Sequence, residues 1–149
     1  MLTVIQRVKS ADVSVNQAMI GKIGEGILAL VAVEKDDNEN IARRLLERIL
    51  NYRIFADPND RMNLSLLDIN GALLLVPQFT LAANTDSGNR PSFSCAATPE
   101  RGMELFSYLQ KIARETLPAV QFGQFGADMQ ISLVNDGPVT FILRVGSRH

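Results

Sequence analysis

The chain has 149 residues, 46% of them hydrophobic and 21% charged, with a formal net charge of −1 and a single cysteine. That length is one domain, able to bury roughly 68–70% of the surface of its unfolded chain, with the class balance of an ordinary globular protein. The same numbers exclude a basic protein that coats nucleic acid along a face, an internal disulfide, and an apolar run long enough to span a bilayer.

In chain order, "MLTVIQRVKS" lacks the charged, apolar and small-residue order of a signal peptide, and the lone Cys95 suits a reducing compartment, so the expectation is a cytoplasmic protein. Cys95 itself reads as a small buried side chain. "LTVIQRV" and "DVSVN" alternate with period two and predict strands, continued by "MIGKIG". "GILALVAV" (26–33) is apolar throughout, as in a strand covered on both faces. "DDNENIARRLLERILNYR" changes period: Ile41, Leu45 and Ile49 share one helical stripe, and Asp37 or Asn38 caps its start. "YRIFADPNDRMNLSL" predicts two short strands around a Pro-Asn-Asp turn. "GALLLVPQFTL" (71–81) predicts a second central strand, interrupted by Pro77.

Residues 83–97, "ANTDSGNRPSFSCAA", form a long polar loop of a length that is usually functional or mobile. Thr98-Pro99-Glu100 opens a second helix, with Thr98 as cap and a stripe of Leu105, Leu109 and Ile112; Pro118 stops it. The tail "ADMQISLVNDGPVTFILRV" predicts two strands with "NDGPVT" between them. There is no repeat, low-complexity run or linker. The elements predict a mixed α/β fold of one domain over residues 1–145, with helices packed against sheet. The last four residues, 146–149, depart from this pattern and read as a tail, so His149 is given no weight. Arg7, Lys9, Lys22, Arg43, Arg44, Arg48, Arg53 and Arg90 gather loosely and read mostly as solvated surface.

Much familiar chemistry is ruled out. A serine or cysteine nucleophile needs a base, usually histidine, and the only histidine is the terminal His149. A zinc site wants several His or Cys ligands, and no Gly-rich phosphate loop is present. No metal and no cofactor is expected. Asp36-Asp37 and Asp57/Asp60 lie in turn contexts where Asp is common. An enzyme built from this sequence works by orientation and backbone hydrogen bonding, or borrows a reactive group from its substrate.

Eight short motifs in order, "QRV" (6–8), "VEKDD" (33–37), "RIF" (53–55), "MNLSL" (62–66), "PQFTL" (77–81), "RPSFS" (90–94), "FGADMQ" (125–130) and "NDGPVT" (135–140), closely resemble the D-aminoacyl-tRNA deacylase family, of the D-tyrosyl-tRNA deacylase type. The resemblance runs from Met1 to about Val145. It implies a homodimer whose strand-strand-(helix-strand)-(helix-strand)-strand order forms three layers, α/β/β, with the helices on one side. It implies hydrolysis of the ester of D-aminoacyl-tRNA, and of glycine wrongly charged on tRNA-Ala, with L-aminoacyl-tRNA rejected. The partner is the acceptor end of charged tRNA, not DNA or a membrane.

By the same resemblance, Gly137-Pro138 is a cis dipeptide inserted into the active site of the other subunit. An X-Pro bond costs only about 0.5–1 kcal/mol to be cis, and glycine lets backbone approach a ligand without a Cβ. Such a wedge leaves room for hydrogen but not for a side chain on one side of the α-carbon, so chirality is read by exclusion. Gln78 and Phe79 hold the terminal adenosine and offer backbone N–H groups to the oxyanion. Thr80 is the nucleophile by position but has no base, which favours a positioning role and attack assisted by the substrate's 2′-hydroxyl. Arg7 and Asn135 support the Gly-Pro loop, a surface role for Arg7 being the other reading. One departure is Pro77, where the family has serine. A related animal family that removes L-alanine has proline there, but alanine in place of Phe79 and a trans Gly-Pro. The alternatives are thus a relaxed trans-type deacylase acting on L-alanyl-tRNA and a non-catalytic module that binds RNA ends.

Overall fold

The computed structural model describes residues 1–146; of the expected tail, residues 147–149 lie outside the described residues. The elements are β1 (Leu2–Val15), β2 (Ala18–Ile23), β3 (Gly26–Ala32), α1 (Glu39–Asn51), β4 (Phe55–Ala56), β5 (Met62–Leu64), β6 (Ala72–Pro77), a 3₁₀ turn (Phe79–Ala82), α2 (Pro99–Thr116), β7 (Gln121–Phe122) and β8 (Met129–Arg144). Six strands make one sheet in the order β2-β1-β3-β6-β7, with β8 on the other edge of β1. β3–β6 and β6–β7 are parallel and the other pairs of this sheet antiparallel. β4 and β5 form a separate two-stranded ribbon.

β1 is long enough to serve both halves of the molecule. Its residues 2–8 pair with β3 and its residues 11–15 with β2, while β8 follows it along the opposite edge. The sheet curls until it nearly closes, bringing β2 back toward β6 and β7: a Cβ on Gly21 would sit 3.2 Å from the Phe122 carbonyl oxygen. This is how one sheet supplies the two β layers that the family resemblance implies. Alternate residues of β3 face different cores. Ile27, Ala29 and Val31 join Leu45, Ile49, Leu105 and Leu109 beneath the helices. Leu28 joins Val8, Ala11, Val13, Ile23, Leu74 and Val76 inside the curl. Burial on both faces is why this strand reads as an unbroken apolar run.

Both helices begin as their caps dictate. The Asn38 side chain accepts from the Ile41 N–H at 2.9 Å, and Thr98 from the Arg101 N–H at 3.3 Å. Asp37 is taken up elsewhere: its carboxylate accepts from the Met1 amino group at 2.7 Å and from the Glu34 N–H at 2.7 Å.

Two expectations change. The run 71–81 is not one strand: β6 ends at Pro77 and the chain turns into the 3₁₀ turn. Proline has no N–H for a neighbouring strand, and pairing with β7 has already ended at Leu75–Phe122. The tail is not two strands about a turn but one strand, β8, paired with β1 on both sides of Gly137-Pro138. Between the pairs Gln6–Thr140 and Val8–Asn135, β1 advances two residues and β8 five, so the dipeptide sits on a bulge thrown out of the ladder.

Candidate active site

The 3₁₀ turn follows directly from the end of β6. The Gln78 N–H still donates to the Val31 carbonyl at 2.8 Å, which ties the turn to the centre of the sheet and, against the expectation from sequence, leaves this N–H no freedom to serve an oxyanion. The first bond of the turn is Leu81 N–H to Gln78 O, 3.2 Å. The N–H groups of Phe79 and Thr80 come before that bond and take no acceptor among the described residues. The Gln78 side-chain amide donates to the Thr80 hydroxyl, which holds both side chains together on the exposed surface of the turn. Phe79 is 60% exposed and its ring leans on Phe93 of the polar loop, with centroids 5.2 Å apart.

Pro77, Gln78 and Phe79 form one side of a pocket of about 420 Å³. Val31 of β3 and Val33 just after it line the pocket, with Thr98, Pro99, Gly102 and Phe106 from the start of α2, residues 125–128 from the approach to β8, and Met129 and Ile131 from the start of β8 itself. The volume lies in the range of small-molecule sites, and the walls are mostly apolar with few polar groups. Gly102 is required by crowding, since a Cβ there would come within 3.0 Å of the Phe125 ring. Pro77 sits against Gly123, whose added Cβ would be 3.2 Å from the proline Cδ, so both small or stiff residues shape this wall.

Gly137, Pro138, Arg7 and Asn135 form a second cluster, which does not line that pocket. The Gly137-Pro138 bond is cis, and Gly137 has φ +128, a conformation that side chains disfavour. Both residues are exposed, whereas Val139 beside them is buried. The loop is held from beneath. Asn135 Oδ1 accepts from the Val139 N–H at 3.1 Å, and its Nδ2 donates to the Thr140 hydroxyl at 2.9 Å. Arg7 donates from Nε to the Asp136 carbonyl at 3.1 Å and from Nη1 to the Ile54 carbonyl at 2.8 Å. A guanidinium with two carbonyls in its fork is a brace rather than a loose surface charge.

The structure thus brings Gln78, Phe79 and Thr80 together, and Arg7, Asn135, Gly137 and Pro138 together, as two separate clusters. Sequence reasoning missed the rest of the pocket: Phe106, Phe125, Gly126, Asp128 and Met129. The signal available was "FGADMQ", noted as a motif but given no role.

The family model described as D-Tyr-tRNA(Tyr) deacylase matches residues 4–144. The chain is 60% identical over 141 residues to the D-aminoacyl-tRNA deacylase of Pseudoalteromonas translucida (strain TAC 125), covering 95% of this chain and 97% of that protein. Among solved structures, the c-Myc DNA Unwinding Element Binding Protein is similar with a TM-score of 0.93 and 33% identity, over 99% of this chain and 100% of that one. A probable eukaryotic D-amino acid tRNA deacylase shares the fold at a TM-score of 0.84 and 17% identity, over 95% and 97%.

Proposed function

The chain belongs to the D-Tyr-tRNA(Tyr) deacylase family, and from that membership we propose how it works as a D-aminoacyl-tRNA deacylase. It hydrolyses the ester bond that joins a D-amino acid to the 3′ end of tRNA. The observation that carries the site is the pair of uncommitted backbone N–H groups, Phe79 and Thr80, at the Gln78–Phe79 edge of an apolar pocket. Amides fixed in this way need no reorganisation when the ester carbonyl becomes an oxyanion, and one such donor is worth about 10²–10³-fold in rate.

Thr80 is a positioning residue: its hydroxyl is engaged by Gln78, and no histidine stands among the pocket residues to activate it. The attacking oxygen is a water oriented by the ribose 2′-hydroxyl of the substrate. It adds to the ester carbonyl and gives up a proton, and the 3′-oxygen leaves with one, so that acid and alcohol form in balance. The working unit is a homodimer, with Gly137-Pro138 of one subunit entering the pocket of the other. This is supported by their exposure and by their absence from the pocket of their own chain. An unbranched backbone wall beside the α-carbon admits D-residues and glycine and excludes L-residues, which makes the reaction a chiral proofreading step in the cytoplasm. The pairing of Phe79 with an intact Asn-Asp-Gly-Pro-Val-Thr segment supports this reading over a relaxed L-alanyl deacylase. A net charge of −1 does not suit a protein that coats duplex DNA.

The test is release of amino acid from D-tyrosyl-tRNA and L-tyrosyl-tRNA by the purified protein, with a chelator present. Rapid release of D alone, indifferent to the chelator, is the expected result. Release of both would assign Pro77 a relaxed pocket, and binding of charged tRNA without release of either would reduce the protein to a binding module.

A further inference from the structure

Asp128 is the one ionisable side chain among the residues lining the apolar pocket. It is exposed, and among the described residues its carboxylate has neither a hydrogen-bond nor an ion-pair partner. Its backbone is nonetheless well fixed. The preceding turn closes with Ala127 N–H to Gln124 O at 3.3 Å, with Gly126 at φ +77. The next residue, Met129, accepts from the Gln124 N–H at its sulfur, 3.4 Å, and pairs with Val15 of β1. A carboxylate presented from a rigid corner onto an apolar wall sets up a negative potential that water screens only in part.

A charge without a partner in the free protein is complementary to a charge in the ligand. On the deacylase reading, on which this inference rests, the substrate offers anions all along its phosphates and one cation, the α-ammonium group beside the ester. Asp128 repels the former and attracts the latter. A pocket of about 420 Å³ is filled by little more than the aminoacyl end of the tRNA, so a group on this wall and the amides on the Phe79 side act on the same ligand. We infer that Asp128 is a specificity residue that selects esters with a free α-ammonium group and turns away N-acylated and α-hydroxy acyl-tRNA. The consequence is that the enzyme leaves peptidyl esters alone and confines itself to substrates that have not yet entered a peptide.

The experiment compares tRNA charged with D-phenylalanine, with N-acetyl-D-phenylalanine and with D-phenyllactate, in which a hydroxyl replaces the amino group. Wild type should favour D-phenylalanyl-tRNA over the phenyllactyl ester by about two- to fivefold in kcat/KM, the scale of one ion pair at a pocket rim. Asp128→Asn should bring that ratio near unity, chiefly by raising KM for the aminoacyl substrate, and should narrow the gap to the N-acetyl ester. Asp128→Glu keeps the charge and should keep the preference. An active wild type with no preference, an Asp128→Asn variant with the wild-type ratio, or one that loses both substrates equally would overturn the inference. Failure of wild type to release D-phenylalanine at all would overturn the deacylase reading itself, and this inference with it.

Discussion

Phe79 carries two properties that can be separated. Its ring is exposed against Phe93, and its N–H precedes the first bond of the 3₁₀ turn. Phe79→Ala removes the ring and keeps the N–H, whereas Phe79→Pro removes both, at a position where the preceding Gln78, with φ −144 and ψ 79, already lies outside the helical region that a following proline disfavours. The proline variant should be slower than the alanine variant by about 10²–10³-fold in kcat, read in single-turnover deacylation. Thr80→Val should retain activity within about tenfold of wild type; total loss would return the nucleophile to the protein. At Arg7 the brace predicts a selectivity effect. Arg7→Ala frees two carbonyls and should lose about 1–3 kcal/mol of stability, and the ratio of D- to L-tyrosyl-tRNA rates should fall. Arg7→Lys should not restore that ratio, because an ammonium cannot span both carbonyls in a planar fork.

Elements meet the site through close backbone contacts. Gly26 starts β3 opposite Ala72, and a Cβ there would lie 1.8 Å from the Ala72 carbonyl oxygen. Gly26→Ala therefore forces the two central parallel strands apart. The cost should fall at or above the upper end of the roughly 1–3 kcal/mol typical of overpacking, measured by denaturant unfolding. The β4–β5 ribbon is organised by Asp57, which accepts from the Arg61 and Asn59 N–H groups and from the Asn63 side chain. The Arg61 bond first, and then that from Asn63, hold its carboxyl below the usual range. A depressed folded-state value means stability that is present above the ordinary carboxylate range and lost as pH falls through it. Asp57→Asn should accordingly flatten the acid limb of a thermal-unfolding pH series below about pH 4. The bulge in β8 belongs to the same scale. A regular ladder would have kept Gly137-Pro138 in line with its neighbours along β1, whereas the extra residues push the dipeptide out of the ladder.

For the whole molecule, the decisive prediction concerns two clusters that do not meet within one chain. If each pocket is completed by the other subunit, a Phe79→Pro variant and a Pro138→Ala variant, each weak alone, should complement on mixing. Random exchange leaves about a quarter of the sites with both parts intact. No gain after subunit exchange would show that the site works within one chain. β8 lies on the edge of the sheet and exposes Val134 at 54% and Ile142 at 70%, an apolar edge of the kind proteins cover. The dimer should be visible by analytical ultracentrifugation.

What the sequence determined by itself were the features set by local periodicity and local chemistry. The stripe of Ile41, Leu45 and Ile49, a cap at Asp37 or Asn38, the Thr98 cap, the doubly covered run 26–33 and the motifs that carry the family were all legible there. Each depends on neighbours within a few residues, and the chain writes those down directly. The end of β6 at Pro77 was half legible: the proline was conspicuous, but that pairing with β7 had already stopped depended on residues more than forty positions away. Tertiary structure alone decided that the tail is one bulged strand along β1, that one sheet curls into two layers, and that Phe125–Met129 closes a pocket begun by Gln78 and Phe79. Those outcomes rest on register and on burial between distant segments, which no local pattern records. The same holds for Asp128: one letter of a motif without a role by sequence, it becomes a lone charge on an apolar wall only once the fold has brought that wall together.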